Sequence, residues 1–238
     1  MAAPSCPAPF QPEPPMNIEA PKKSRVVLVE DHPMFREQLA QLINKEPAMT
    51  VCGEADNIHD AFQLIETKAP DIAIVDLTLK GPTGLELIKN LKAKEIDVPV
   101  LVLSMHDEAL YAERVLKAGA RGYITKNEVS KEVMTAICAV LRGEIYLPAR
   151  IASRILESVA LGRKGENGIS QLTDRELEVF ELIGRGRTTR EISSHLHLGV
   201  STVDTYRARI KTKLHLENSS QLSHEAIRWV SEGQKASV

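Results

Sequence analysis

The chain has 238 residues, of which 43% are hydrophobic and 26% charged, and its length favours two modest domains over one large core. A formal charge of -2 excludes a uniformly basic coat for nucleic acid but leaves room for a local basic patch. No apolar run is long enough to cross a bilayer, and Cys6, Cys52 and Cys138 are too widely spaced for a CxxC or zinc pair, so they read as free thiols in a reducing cytoplasm.

Residues 1–23 are expected to form a disordered tail, with Pro at 4, 7, 9, 12, 14 and 15 and neither the basic start nor the apolar stretch of a targeting signal. Met16 could serve as an alternative start. From Arg25 the pattern alternates short apolar runs with longer amphipathic ones, which predicts an α/β fold: a doubly wound, five-stranded parallel sheet with helices on both faces. Strands are expected at Val26–Glu30, where β-branched residues form a continuous run as in a strand buried on both faces, and at Thr50–Ala55, Asp71–Asp76, Pro99–Ser104 and Gly122–Thr125. Helices are expected at Pro33–Asn44, His59–Lys68, Leu85–Ala93, Glu108–Ala118 and Lys131–Leu141. After Tyr146 the pattern is helical only. A linker helix is expected over Ile151–Leu161, a Gly-rich hinge over Gly162–Gly168, and capping boxes at Thr173–Glu176 and Thr188–Glu191.

Ligands of open α/β sheets sit at the carboxyl ends of the strands. Glu30 and Asp31 follow the first strand there, and Asp76 ends the third. Packed anions repel unless a cation joins them, and oxygen donors with room for water suit Mg²⁺. An ion beside one carboxylate oxygen prepares the other to attack phosphorus, a reaction that needs little beyond positioning and charge neutralisation. Lys126 after the fifth strand can pair with phosphoryl oxygens, and Ser104 after the fourth can hydrogen-bond another. Each residue alone has a plainer reading: a turn or cap for Asp76, caps for Glu30, Asp31 and Ser104, a solvated charge for Lys126. Their joint placement at strand ends favours a shared site.

Thr188–Leu196, a short turn and Val200–Leu214 have helix-turn-helix spacing. Val203, Tyr206, Ile210 and Leu214 fall on one face of the second helix. The opposite face carries Ser201, Asp204, Thr205, Ala208 and Thr212, flanked by Arg207, Arg209, Lys211 and Lys213. Small side chains let such a helix approach base edges while basic ones reach phosphates. A solvated basic helix is the plainer alternative.

VVLVEDHPMFRE, DIAIVDLTLKGPTGLELI, VLVLSMHDE and AGARGYITK resemble the receiver domain of response regulators, and LTDRELEVFELIGRGRTTREISSHLHLGVSTVDTYRARIKTKLHL resembles the LuxR-type helix-turn-helix. Together they resemble the NarL/FixJ class of two-component response regulators. That resemblance implies a CheY-like (flavodoxin-like) receiver at 24–144, a helical linker and hinge at 145–169, a four-helix DNA-binding domain at 170–233 and a tail at 234–238. It implies Asp76 as the residue that becomes 4-aspartylphosphate from a sensor histidine kinase, and Mg²⁺ held by Glu30, Asp31, Asp76 and the backbone carbonyl of Thr78. It further implies Lys126 as the phosphoryl partner, Ser104 and Tyr123 as switch residues, and DNA contacts from Thr188, Ser201, Thr202, Asp204, Thr205, Arg207, Ala208, Arg209, Lys211 and Lys213. Double-stranded DNA, a homodimer partner made through a fourth helix near Ser219–Val230, RNA polymerase and a bacterial cytoplasm are the implied setting, with no membrane and no enzymatic turnover. Three departures stand out: Lys80 and Asn127 where many receivers have Pro, and Gly199 where the family often has a Ser cap. An aspartyl-phosphate phosphohydrolase would place a second Asp where Thr78 stands. A receiver working by protein contact alone would keep its activity when Asp76 is replaced by Asn, and an autoinducer receptor, which shares the C-terminal module, would not need the carboxylate cluster.

Overall fold

The structure is a computed structural model that describes residues 23–79, 83–105, 109–160 and 168–235. Most of the expected N-terminal tail with Cys6, Lys80, most of the expected hinge, and residues 236–238 lie outside the described residues. Strands β1 (Ser24–Val29), β2 (Met49–Ala55), β3 (Ile72–Asp76), β4 (Val100–Ser104) and β5 (Gly122–Thr125) form one parallel sheet in the order β2-β1-β3-β4-β5. The doubly wound expectation is therefore met. Helices α1 (Pro33–Asn44), α2 (Ile58–Lys68), α3 (Gly84–Ala93), α4 (Ala109–Ala118) and α5 (Val129–Leu141) begin and end within two residues of the expected bounds.

The strand alternation divides the interior into two apolar layers. Val26, Leu28, Ile72, Ile74, Leu101 and Leu103 pack toward α1 and α5, while Val27, Val29, Ala73, Val75, Val100 and Val102 pack toward α2, α3 and α4. Local signals set the helix starts: Asn57 caps α2 through the Asp60 amide and Thr83 caps α3 through the Glu86 amide.

Beyond the sheet come α6 (Ala149–Ala160), a 3-10 turn at Ile169–Gln171, α7 (Asp174–Gly184), α8 (Thr189–His195), α9 (Val200–Lys213) and α10 (Ser219–Lys235). Both expected capping boxes are formed, Thr173 with Glu176 on α7 and Thr188 with Glu191 on α8. α7 and α10 cross closely at Gly184, where a Cβ would lie 2.4 Å from the carbonyl oxygen of Ala226. The rings of Phe180 on α7 and Trp229 on α10 meet at 5.8 Å, tilted by 47°.

The apolar layer beneath α3 and α4 continues through Ile151 of α6 to Leu177 and Phe180 of α7. Polar contacts line this seam. The Tyr111 hydroxyl on α4 donates to Glu181 Oε2 at 2.8 Å. Asp174 takes Lys89 Nζ at 2.9 Å and Arg114 Nη1 at 3.0 Å, and Arg114 also donates to the Ile169 carbonyl at 3.2 Å.

Candidate functional site

A crevice opens between β1 and β3, where the connections leave the sheet in opposite directions. Asp76 ends β3 and is fully buried, and Glu30 and Asp31, which follow β1, are 1% and 7% exposed. One ligand atom each from Glu30, Asp31, His32 and Asp76 falls within 4.8 Å of the others. Lys126, just past β5, reaches into the cluster with Nζ 2.8 Å from Asp76 Oδ2 and 2.7 Å from Glu30 Oε2. Its ammonium also lies 4.9 Å from the centre of the Phe35 ring. The other Asp76 oxygen, Oδ1, accepts the Thr78 amide at 3.1 Å.

Burial, reinforced by the Glu30 carboxylate, pushes the Asp76 pKa up to about 6 against the pull of Lys126. Burial acts to lower the Lys126 pKa, yet Asp76 and Glu30 outweigh it and hold the ammonium above its ordinary value. Lys126 is thus the counter-ion that lets neighbouring carboxylates ionise inside the protein. It does not satisfy them all: Glu30 Oε2 and Asp31 Oδ1 are buried without a hydrogen bond. Lys126 Nζ stands 2.7 Å from the first of these oxygens and a His32 ring nitrogen 2.8 Å from the second, without hydrogen-bond alignment. Buried hard oxygen donors with spare lone pairs fit a divalent cation of the Mg²⁺ kind.

Ser104 is buried at the end of β4, and its carbonyl accepts the Lys126 amide at 2.7 Å. Tyr123, on β5, is also fully buried. Glu30 and Asp31 are not helix caps. His32 holds the N-cap position of α1 and makes no side-chain cap bond.

Three contributors escaped the sequence reading. His32 brings Nδ1 to 2.9 Å from Glu30 Oε1, a contact foreshadowed only by its adjacency to the acidic pair. Gly84 lies so close to the site that a Cβ there would be 2.1 Å from the Asp76 carbonyl oxygen. Arg36, one turn into α1, donates to the Glu30 carbonyl at 2.5 Å.

On α9, Val203 and Ile210 are buried, while Ser201, Asp204, Thr205, Ala208 and Arg209 are exposed. Thr202, Arg207, Lys211 and Lys213 are half-buried. Thr205 turns its hydroxyl back to the Ser201 carbonyl at 2.9 Å. Lys213 has a partner inside the bundle, Glu176 Oε2 at 2.6 Å. That contact ties α9 to the start of α7. Exposed Thr188 caps α8, beside a hollow lined by Arg187, Arg190, Glu191, Ser194 and His195.

Two family models match the chain: "Response regulator receiver domain" over residues 26–138 and "Bacterial regulatory proteins, luxR family" over 170–226. The chain is 33% identical to "Response regulator UvrY" of Escherichia coli strain K12, over 85% of this chain and 93% of that protein. It is also 33% identical to "Transcriptional regulatory protein LiaR" of Bacillus subtilis strain 168, over 86% and 97%. Among solved structures it resembles a LuxR-family two-component response regulator from Aurantimonas sp. SI85-9A1, with 34% identity, a TM-score of 0.56 and coverage of 58% of this chain and 99% of that one. A likeness of fold alone extends to RcsB from Salmonella enterica serovar Typhimurium bound to a promoter, at 23% identity, TM-score 0.58 and coverage of 86% and 98%.

Proposed function

The chain belongs to the two-component response regulators that join a receiver domain to a LuxR-type DNA-binding domain, a family of transcription regulators, and from that premise we propose that Asp76 is its phosphoacceptor. The observation that carries this reading is the convergence on one buried aspartate of Glu30, Asp31 and Lys126. An Asp76 carboxylate oxygen attacks the phosphorus of a sensor kinase phosphohistidine; the N–P bond breaks, and the imidazole leaves with the electron pair and takes up a proton. Lys126 stays beside the new acyl phosphate and neutralises its charge, with the Ser104 hydroxyl as a further donor. Glu30, Asp31, Asp76 and the Thr78 carbonyl would hold Mg²⁺, which offsets the charge gathered on the phosphoryl oxygens. Slow loss of the phosphoryl group to water is the only other chemistry assigned to the site.

The division into a receiver at 24–144, a linker at 145–169 and a DNA-binding domain at 170–233 follows from the same reading. The face of α9 bearing Ser201, Thr202, Asp204, Thr205 and Ala208 enters the major groove. Arg207, Arg209 and Lys211 meet the phosphate walls, and Thr188 contacts the backbone from α8. Lys213 joins them only by leaving Glu176. Phosphorylation favours a homodimer that spans two half-sites and works on RNA polymerase in a bacterial cytoplasm. Among the described residues no helix is long and apolar enough to cross a membrane.

The test is selection of genomic fragments with and without a small phosphodonor and Mg²⁺, on wild type and Asp76→Asn. Discrete sites enriched more strongly with donor in wild type alone support the proposal, and equal enrichment in both proteins refutes it.

A further inference from the structure

α3 and α4 run side by side in the same direction, both following parallel strands. Basic residues stand one turn apart on each: Lys89 and Lys92 on α3, Arg114 and Lys117 on α4. Residues three apart are neighbours on a helix face, so the four cations form two rungs. These side chains line one groove of about 460 Å³, together with Leu85, Ala93, Ala118 and Asp174. Lys92 is drawn toward α4: its Cδ lies 3.6 Å from where a Cβ on Gly119 would stand, just past the end of that helix.

The first rung already holds an anion. The Asp174 carboxylate, presented by the first residue of α7, takes Lys89 at 2.9 Å and Arg114 at 3.0 Å. The second rung has no such guest. Among the described residues Lys117 pairs with Glu113 on its own helix, at 2.5 Å, and Lys92 pairs with no carboxylate. We propose that this groove is a binding site for a compact oligophosphate anion, whose terminal groups take the Lys92–Lys117 rung and compete with Asp174 for Lys89 and Arg114. Phosphate oxygens carry more charge than one carboxylate and meet the Arg114 fork in two-point geometry. Because Asp174 belongs to the helix bundle and the cations to the receiver, a bound anion loosens the seam between them. The site is separate from the Asp76 crevice, and its occupancy does not depend on phosphorylation.

Inorganic tripolyphosphate is the probe, titrated calorimetrically into the full chain with EDTA present so that no metal carries it to the carboxylates. Four proteins are compared: wild type, Lys92→Gln/Lys117→Gln, Arg207→Gln/Arg209→Gln and Asp174→Asn. All altered positions are polar and none lies in an apolar layer; circular dichroism checks that each protein is folded. The expected result is one site in wild type, weakened about tenfold by the Lys92/Lys117 pair, unmoved by the Arg207/Arg209 pair, and tightened several-fold by Asp174→Asn. Absence of binding by wild type overturns the proposal. So does loss with Arg207/Arg209 in place of Lys92/Lys117, which would put the anion on α9, and so does indifference to both pairs.

Discussion

Tyr111 and Glu181, seventy positions apart, share a buried hydrogen bond of 2.8 Å that joins α4 of the receiver to α7 of the helix bundle. Burial, with Glu181 and Glu178 nearby, pushes the phenol pKa well above its ordinary value, so Tyr111 is a donor at neutral pH. Tyr111→Phe deletes that donor and leaves Glu181 with Arg185, its neighbour at 2.6 Å. We expect about 1–2 kcal/mol less coupling between the two units, seen as faster amide exchange along α7 while the receiver strands keep their protection. Unchanged exchange in α7 would mean that the apolar contacts alone hold the seam.

Asp76 gives a pH dependence with a definite sign. Its folded pKa of about 6 lies above the ordinary 3.8, so its contribution favours folding fully below about pH 4 and is lost as the pH rises through 6. At pH 7.5 without metal the ionised group therefore opposes folding. Asp76→Asn should then be more stable than wild type by about 1–3 kcal/mol, with the difference vanishing near pH 4. Urea midpoints in EDTA at the two pH values check this. A wild type that is the more stable protein at pH 7.5 contradicts it.

Gly84 lacks space for any side chain, because a Cβ would meet the Asp76 carbonyl oxygen at 2.1 Å and Val75 Cγ1 at 2.9 Å. Gly84→Ala must push the start of α3 away from β3. The expected cost is about 2–3 kcal/mol, accompanied by slower labelling of Asp76 by a small phosphodonor. Unaltered stability would show that α3 can shift freely.

Ala208 and Arg209 separate approach from charge on the reading helix. Ala208→Leu adds bulk to an exposed position, so it should leave the melting temperature alone while weakening specific DNA binding by about tenfold. Arg209→Gln should weaken binding to all sequences alike and reduce the salt slope of log Kd by about one. Equal loss of specific and non-specific binding with Ala208→Leu would place this helix outside the groove.

Much of this was legible in the sequence because the signals were local. A continuous β-branched run announced a strand buried on both faces, and the Thr173–Glu176 and Thr188–Glu191 spacings announced helix starts that the structure forms. The carboxylates could be grouped because the fold class itself sends Glu30, Asp31 and Asp76 to the same sheet edge. What stayed hidden was tertiary. Lys89 and Asp174 are 85 positions apart, Arg114 and Asp174 are 60, and no periodicity links them. Lys213 read as a phosphate contact because it stands one turn beyond Arg209 on the same side of the helix, while its carboxylate partner, Glu176, lies 37 positions upstream. The end of α10 was placed early for a similar reason: its last turns carry a polar sequence with little apolar period to mark them.

The chain holds a single tryptophan, and its ring rests on Phe180, next in sequence to the partner of Tyr111. Intrinsic fluorescence excited at the red edge therefore watches the DNA-binding half alone. The receiver is silent at that wavelength, so a melt followed by emission traces one half while far-ultraviolet dichroism sums the helices of both, and the two curves superimpose only while the halves unfold as one.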